Sequence, residues 1–118
     1  MRLAVTVGVL IALAAPAAAA DPWTARNTVL EATYAVAHAA DWRQTLDIGA
    51  AGRETNPILG PRPHPNAVHA YFASTLVAHA LVSWALPRGW REGWQATWIM
   101  VEAGYVAHNV SLGWRLQF

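Results

Sequence analysis

A single helical stripe constrains this chain more than any other feature. Stepping three or four residues at a time from Thr24 gives Thr24, Asn27, Glu31, Tyr34, His38, Asp41 and Thr45. Every stop is polar or amphipathic. The residues between them are largely Val, Leu and Ala, among them Val29, Leu30, Ala32, Val36 and Ala39. The 3/4 spacing keeps the stripe on one helix face, drifting by roughly 20° per heptad. A soluble coiled coil places apolar residues on that seam; here the seam is polar and the remainder apolar. Such a helix is expected to bury its polar face among partners and turn its apolar face to lipid or other apolar helices.

Composition points the same way. The 118 residues make room for one domain. Hydrophobic residues are 55% of the chain and charged ones 13%, well below the roughly 25% charged of an ordinary soluble domain. A formal net charge of +1 with no long charge run argues against a nucleic-acid partner or a polybasic membrane patch. The chain has no Cys, so disulfides, thiolate metal sites and thiol catalysis are excluded.

Residues 1–20 read as a signal peptide. Arg2 supplies the positive n-region, Leu3 to Ala15 the apolar core, and Pro16 a break. Ala18-Ala19-Ala20 then offers small residues for cleavage before Asp21. The apolar core is short for a membrane span of about 20 residues, which favours cleavage over an anchor. The expected location is the bacterial inner membrane or cell envelope, with residues 21–118 as a single helical membrane domain.

Three helices are expected in that domain, with no strands. Asp21-Pro22 is a good start for the first, an acceptor side chain followed by a residue with preset φ. Thr28 and Glu31 offer a capping box one turn later. This helix should run to about Asp47. Residues 49–66, with four Pro and three Gly, form a long connection that is extended around PRPHP. Asn66 can cap a second helix, Ala67 to Leu86, which Pro87 ends. The third runs from about Arg91 to Ser111 or Gly113.

The second helix carries no formal charge over its 20 residues, a length sufficient to span a bilayer. Trp23 and Trp42 bracket the first helix about 28 Å apart, and Trp94 and Trp114 the third about 30 Å apart. Aromatic rings at both ends of such a stretch are the pattern of an interfacial belt. Against this, Glu31, Asp41 and Glu102 lie inside the spans, where each acidic group costs roughly 2.5–3.5 kcal/mol. A soluble periplasmic helical domain is the rival architecture. The first connection carries Arg43, Arg53 and Arg62 against Arg88 and Arg91 on the second, a mild agreement with the positive-inside rule for an exported N-terminus.

Chemistry-bearing residues recur on the other helices. Arg91, Gln95, Trp98, Glu102, Tyr105 and Asn109 form a second stripe at the same step. EATYAVAH at 31–38 is echoed by EAGYVAH at 102–108, one residue shorter, so Asn109 rather than His108 holds the helical phase of His38. The middle helix adds His69 and His79, with Thr75, His79 and Ser83 along one i, i+4 line. Three helices can thus direct His38, Asp41, His79, Glu102 and His108 or Asn109 into one interior. His38, Asp41, His79 and Glu102 form a sufficient donor set for one divalent transition metal such as zinc. No H-E-x-x-H or G-x-S-x-G motif accompanies them. A purely structural hydrogen-bonded network, with no cofactor, leads. A metal-dependent hydrolase in the membrane and a proton or ion path are the alternatives. Glu31 reads as a capping residue and His64 as a solvated loop residue.

In the connection, Glu54-Thr55-Asn56-Pro57 carries turn chemistry: Asn before Pro initiates a turn that Glu54 can fold back to cap. Asp41-x-x-x-Thr45 at a helix end followed by Glu54-x-Asn56-Pro57 resembles the D-x-x-x-T…E-x-N-P pattern of small helical membrane proteins of bacteria and their phages. The resemblance covers about 20 residues. It implies a membrane bundle in which Asp41, Thr45, Glu54 and Asn56 form one structural unit, and it implies no activity. The chain ends with Leu112, Trp114, Leu116 and Phe118 alternating with polar or small residues. That pattern resembles the last strand of an outer-membrane barrel, but no other strands accompany it, so a short interfacial tail is expected. The expected role is non-enzymatic, structural or partner-binding, with the lipid bilayer, a second copy of the chain or another envelope protein as partner.

Overall fold

The structure, a computed structural model, describes residues 21–118; the expected signal peptide lies outside them. It is all-α, with α1 at Ala25–Ala50, α2 at Pro65–Ala85 and α3 at Arg88–Ser111. No strand occurs among the described residues, and the alternating tail beyond Gly113 takes no regular secondary structure.

Local chemistry sets the ends of the helices. Neither Asp21 nor Thr28 starts α1. The cap is Thr24, whose hydroxyl accepts from the Asn27 amide while the Asn27 side chain accepts from the Thr24 backbone. This reciprocal box satisfies two amide donors that have no intrahelical partner, and it releases Glu31 for another task. His64 is not merely solvated, because its Nδ1 accepts from the Asn66 amide and caps α2, with Pro65 at the first helical position. The expected cap, Asn66, sits inside the helix. The third helix begins at once after Pro87, three residues earlier than the sequence suggests.

Two glycines close the opposite ends. Gly52 has φ +70° and Gly113 φ +94°, the left-handed conformation that L side chains resist. After α1, the Arg53 amide donates to the Ile48 carbonyl and the Gly52 amide to that of Gly49. After α3, Trp114 donates to Asn109 and Gly113 to Val110. Both are Schellman closures, which satisfy carbonyls left over at a helix end. The first carries α1 to Ala50, one turn past the expected Asp47.

Both α2 and α3 pack mainly on α1 and only sparsely on each other. They meet at the Leu86–Pro87 corner and leave a space between them toward the other end. The core is inverted. Nine polar or charged residues are buried among the described residues, against five apolar ones, Tyr34, Ile48, Val68, Phe72 and Ala85. Val36 and Met100 are each 72% exposed, whereas Asn27 and Gln95 are 0% exposed. Measured by mean hydropathy along the chain, no helix among the described residues is long and apolar enough to cross a membrane. That differs from the expectation for the second helix, where His69, Tyr71, His79 and Trp84 hold the average down.

Candidate functional site

The space between α2 and α3 is a cavity of about 710 Å³, lined along α1 and bordered at the end away from the Leu86–Pro87 corner by residues 53–58 of the connection. Its walls include His38, Asp41 and Thr45 from α1, Glu54 and Asn56 from the connection, and His79 from α2. From α3 come Glu102, His108 and Asn109. All nine residues singled out from the sequence line one cavity; the facing 3/4 stripes of α1 and α3 account for His38, Asp41, Thr45, Glu102 and Asn109.

Two histidine–carboxylate pairs organise the interior. His38 Nδ1 lies 2.8 Å from Glu102 Oε1, and both side chains are buried. Its Nε2 lies 3.0 Å from the Phe72 carbonyl and 3.1 Å from Thr75 Oγ1. A carbonyl only accepts, so Nε2 carries a hydrogen. The His38–Glu102 contact then shares one further proton, held by either partner. Tyr34 Oη approaches the same Nδ1 at 3.3 Å.

The second pair was not foreseen. His79 Nδ1 donates to Glu31 Oε1 at 2.8 Å. Glu31 Oε2 in turn accepts from Gln95 Nε2, and Gln95 Oε1 accepts from Asn27 Nδ2. In the neutral ring, the Glu31 carboxylate fixes the tautomer of His79 and leaves Nε2 as a lone pair. That atom is buried with no partner, as are Glu102 Oε2 and Trp94 Nε1. Glu31 is an interior anchor rather than a cap. Its place on the α1 stripe was the signal, obscured by the apparent Thr28 box.

The relay continues to the closed end of the bundle. Asn27 Oδ1 lies 3.4 Å from Arg91 Nη1. The Arg91 guanidinium, 1% exposed, also donates to the carbonyls of Asp21, Pro22, Ser83, Trp84 and Leu86. Three of those belong to the last turn of α2 and its cap, whose carbonyls lack helical partners and whose dipole favours a cation. At the other end, Asn109 Nδ2 donates to Asp41 Oδ1 and to Gln44 Oε1, while Gln44 Nε2 donates to the Trp114 carbonyl. His108, displaced by one residue from that phase, stays exposed. Glu54 Oε1 accepts from the Thr55 and Asn56 amides, and Asn56 Oδ1 from that of Ile58, the folded-back turn expected of this motif.

Rings stack through the interior. Tyr34 lies 5.2 Å from His38 and 3.6 Å from His79, and His79 lies 5.5 Å from Trp94, centroid to centroid. No group of three or more His, Asp or Glu among the described residues is arranged to hold a metal ion. Of the four candidate ligands, His38 has both nitrogens in hydrogen bonds and His79 is turned to Glu31 rather than to Asp41 or Glu102. Comparison with models of known protein families, with curated proteins and with solved structures finds no match.

Proposed function

We propose that this chain is a small integral membrane protein of the bacterial envelope, with a binding or structural role centred on its interior cavity. The observation that carries this reading is the inverted burial. Hydrophobic burial is the dominant favourable term for folding in water, and five buried apolar residues are a thin core for such a fold. In a bilayer the same surface is matched. Helices there associate through packing and interhelical hydrogen bonds, which is what the Asn27–Gln95, Glu31–His79, His38–Glu102 and Asp41–Asn109 contacts supply.

Part of the low average hydropathy comes from inward-facing residues such as Asn27, His38, His79, Gln95 and Glu102, which a bundle shields from lipid. No exposed charge lies on α1 between Arg26 and Arg43, a height of about 26 Å at 1.5 Å per residue. Across α2 there is no charge, and on α3 past Glu92 the sole one is the buried Glu102. Trp23, Trp84 and Trp90 are exposed at the closed end, while Trp42 and Trp114 sit at the open end, as in an aromatic belt. Arg43, Arg53, Arg62 and Arg115 at the open end, against Arg26, Arg88 and Arg91 at the other, give mild support to a cytoplasmic open end under the positive-inside rule.

Alkaline carbonate washing of membranes carrying the full chain tests this reading. Retention in the pellet, with release by a maltoside detergent, is the expected result. Release by carbonate alone contradicts it. A second reading, acid–base chemistry in the cavity, is favoured by the Glu31-oriented His79 with its free Nε2, the arrangement of a general base. Turnover of an ester substrate that is lost in His79→Gln tests that one.

A further inference from the structure

From the unpartnered atoms in its walls, we infer that the cavity is a binding site for a small organic ammonium compound, primary or secondary, with an apolar body. The inference rests on the reading of this cavity as a binding site. Its volume of about 710 Å³ lies within the range of about 300–1,000 Å³ typical of small-molecule sites.

The polar inventory of the walls selects the ligand. Glu102 is 6% exposed and His79 4% exposed, yet Glu102 Oε2 and His79 Nε2 have no hydrogen-bond partner. Both are acceptors: one is a carboxylate oxygen, the other the lone-pair nitrogen of a ring whose Nδ1–H is committed to Glu31. Buried acceptors without donors are costly, and both side chains line the cavity, so a turn of either one brings its acceptor to an ammonium N–H. Asp41 adds a second carboxyl group to the same wall, beside Glu102 and bonded to the neutral amide of Asn109.

The charge census favours a cation. Glu31, Asp41 and Glu54 stand in or directly behind the cavity wall, with Glu102 sharing a proton with His38, against one permanent cation, Arg53. The remaining lining mixes neutral polar groups, such as Thr45, Thr75 and Asn109, with aromatic and aliphatic ones. Trp94 and Trp98 present rings there, and ring faces attract cations. The one unpartnered donor, Trp94 Nε1, accommodates an acceptor on the ligand body. A quaternary ammonium has no N–H to offer Glu102 and His79, so it ranks below a primary amine.

The test uses the full chain in maltoside micelles, with phenethylammonium chloride as the probe. Its neutral counterpart is 2-phenylethanol, and its quaternary counterpart is the N-trimethyl salt. Ligand linkage converts binding into a rise in melting temperature, and quenching of the cavity tryptophans gives an independent isotherm. A saturable rise with phenethylammonium is expected, at least tenfold weaker with the trimethyl salt and weaker again with the alcohol. Asp41→Asn, which retains the acceptor for Asn109, should weaken the amine at least threefold without affecting the alcohol. Glu102→Gln should weaken it further. Equal binding of alcohol and amine, preference for an anion such as benzenesulfonate, or no saturable response overturns the site. A protein that resists carbonate yet ignores the amine overturns the site alone. One released by carbonate yet stabilised by the amine keeps the site and overturns the membrane reading.

Discussion

Replacing Arg91 by Met should be among the most damaging single changes in the chain. The guanidinium contacts six acceptors: five backbone carbonyls and Asn27 Oδ1. It also lies 5.3 Å from the centre of the Trp23 ring. Hydrogen bonds involving a charged group contribute about 1.5–3 kcal/mol each, but they share five N–H donors and the desolvation of one cation, so they do not add. Swapping a buried ion pair for apolar residues is often tolerated because both partners leave together. Here the acceptors are peptide carbonyls and remain. Removing the guanidinium takes a donor from each of them, and every buried acceptor left without a partner costs about 1–3 kcal/mol. A loss near 4 kcal/mol is almost a thousandfold in the folding constant. Arg91→Lys keeps the charge but offers three donors from a point rather than five from a fork, so about half that loss is expected. SDS titration of maltoside micelles, followed by far-UV circular dichroism, measures both. If Arg91→Met stays within about 1 kcal/mol of the unmodified protein, the guanidinium is not the fastener described.

Further outcomes follow from other contacts. Gly52→Ala and Gly113→Ala should each cost about 1–2 kcal/mol, because both sites have positive φ. Gly93→Ala, in open space within α3, should be neutral or stabilising by up to about 1 kcal/mol; the same denaturation assay reads the opposite signs. A double-mutant cycle of Glu31→Gln with His79→Gln should give a coupling of about 1–3 kcal/mol, whereas Glu31→Gln with the distant Asp41→Asn should be closer to additive. Intact-mass measurement of envelope-purified protein should show loss of residues 1–20, and a mass retaining Met1 rules the cleavage out.

The faces of the helices were legible in the sequence, and the pairings across them were not. A 3/4 step determines which side chains share a side of α1 or α3, so the two stripes and the Asn109 phase could be read before any coordinates. It leaves open the height and rotation of α2. His79 was therefore grouped with Asp41 and Glu102, when its Nδ1 reaches Glu31. Arg91 and Gln95 stood on the second stripe but carry no nucleophile or metal-ligand chemistry, so they drew no attention as site residues. They are the groups that align Glu31 and lock the α2–α3 corner. The caps were misplaced for a related reason. Thr24 and Thr28 are both competent capping residues, and tertiary demands on Asn27 and Glu31 decided between them, while at α2 His64 before Pro65 took the place of Asn66.

The central claim is that the outer face of this bundle meets lipid while its polar residues meet each other. Because the chain has no native Cys, single-cysteine spin labels test it directly. Val36, Val77 and Met100 lie near the midpoints of α1, α2 and α3 and are 72%, 59% and 72% exposed. Labels at these positions, in the protein reconstituted into phosphatidylcholine vesicles, should collide freely with oxygen and rarely with a water-soluble nickel chelate. A label at the exposed Arg62 on the connection should show the reverse. Strong nickel accessibility at Val36, Val77 and Met100 would contradict the account, because it would place in water the surface assigned here to the bilayer.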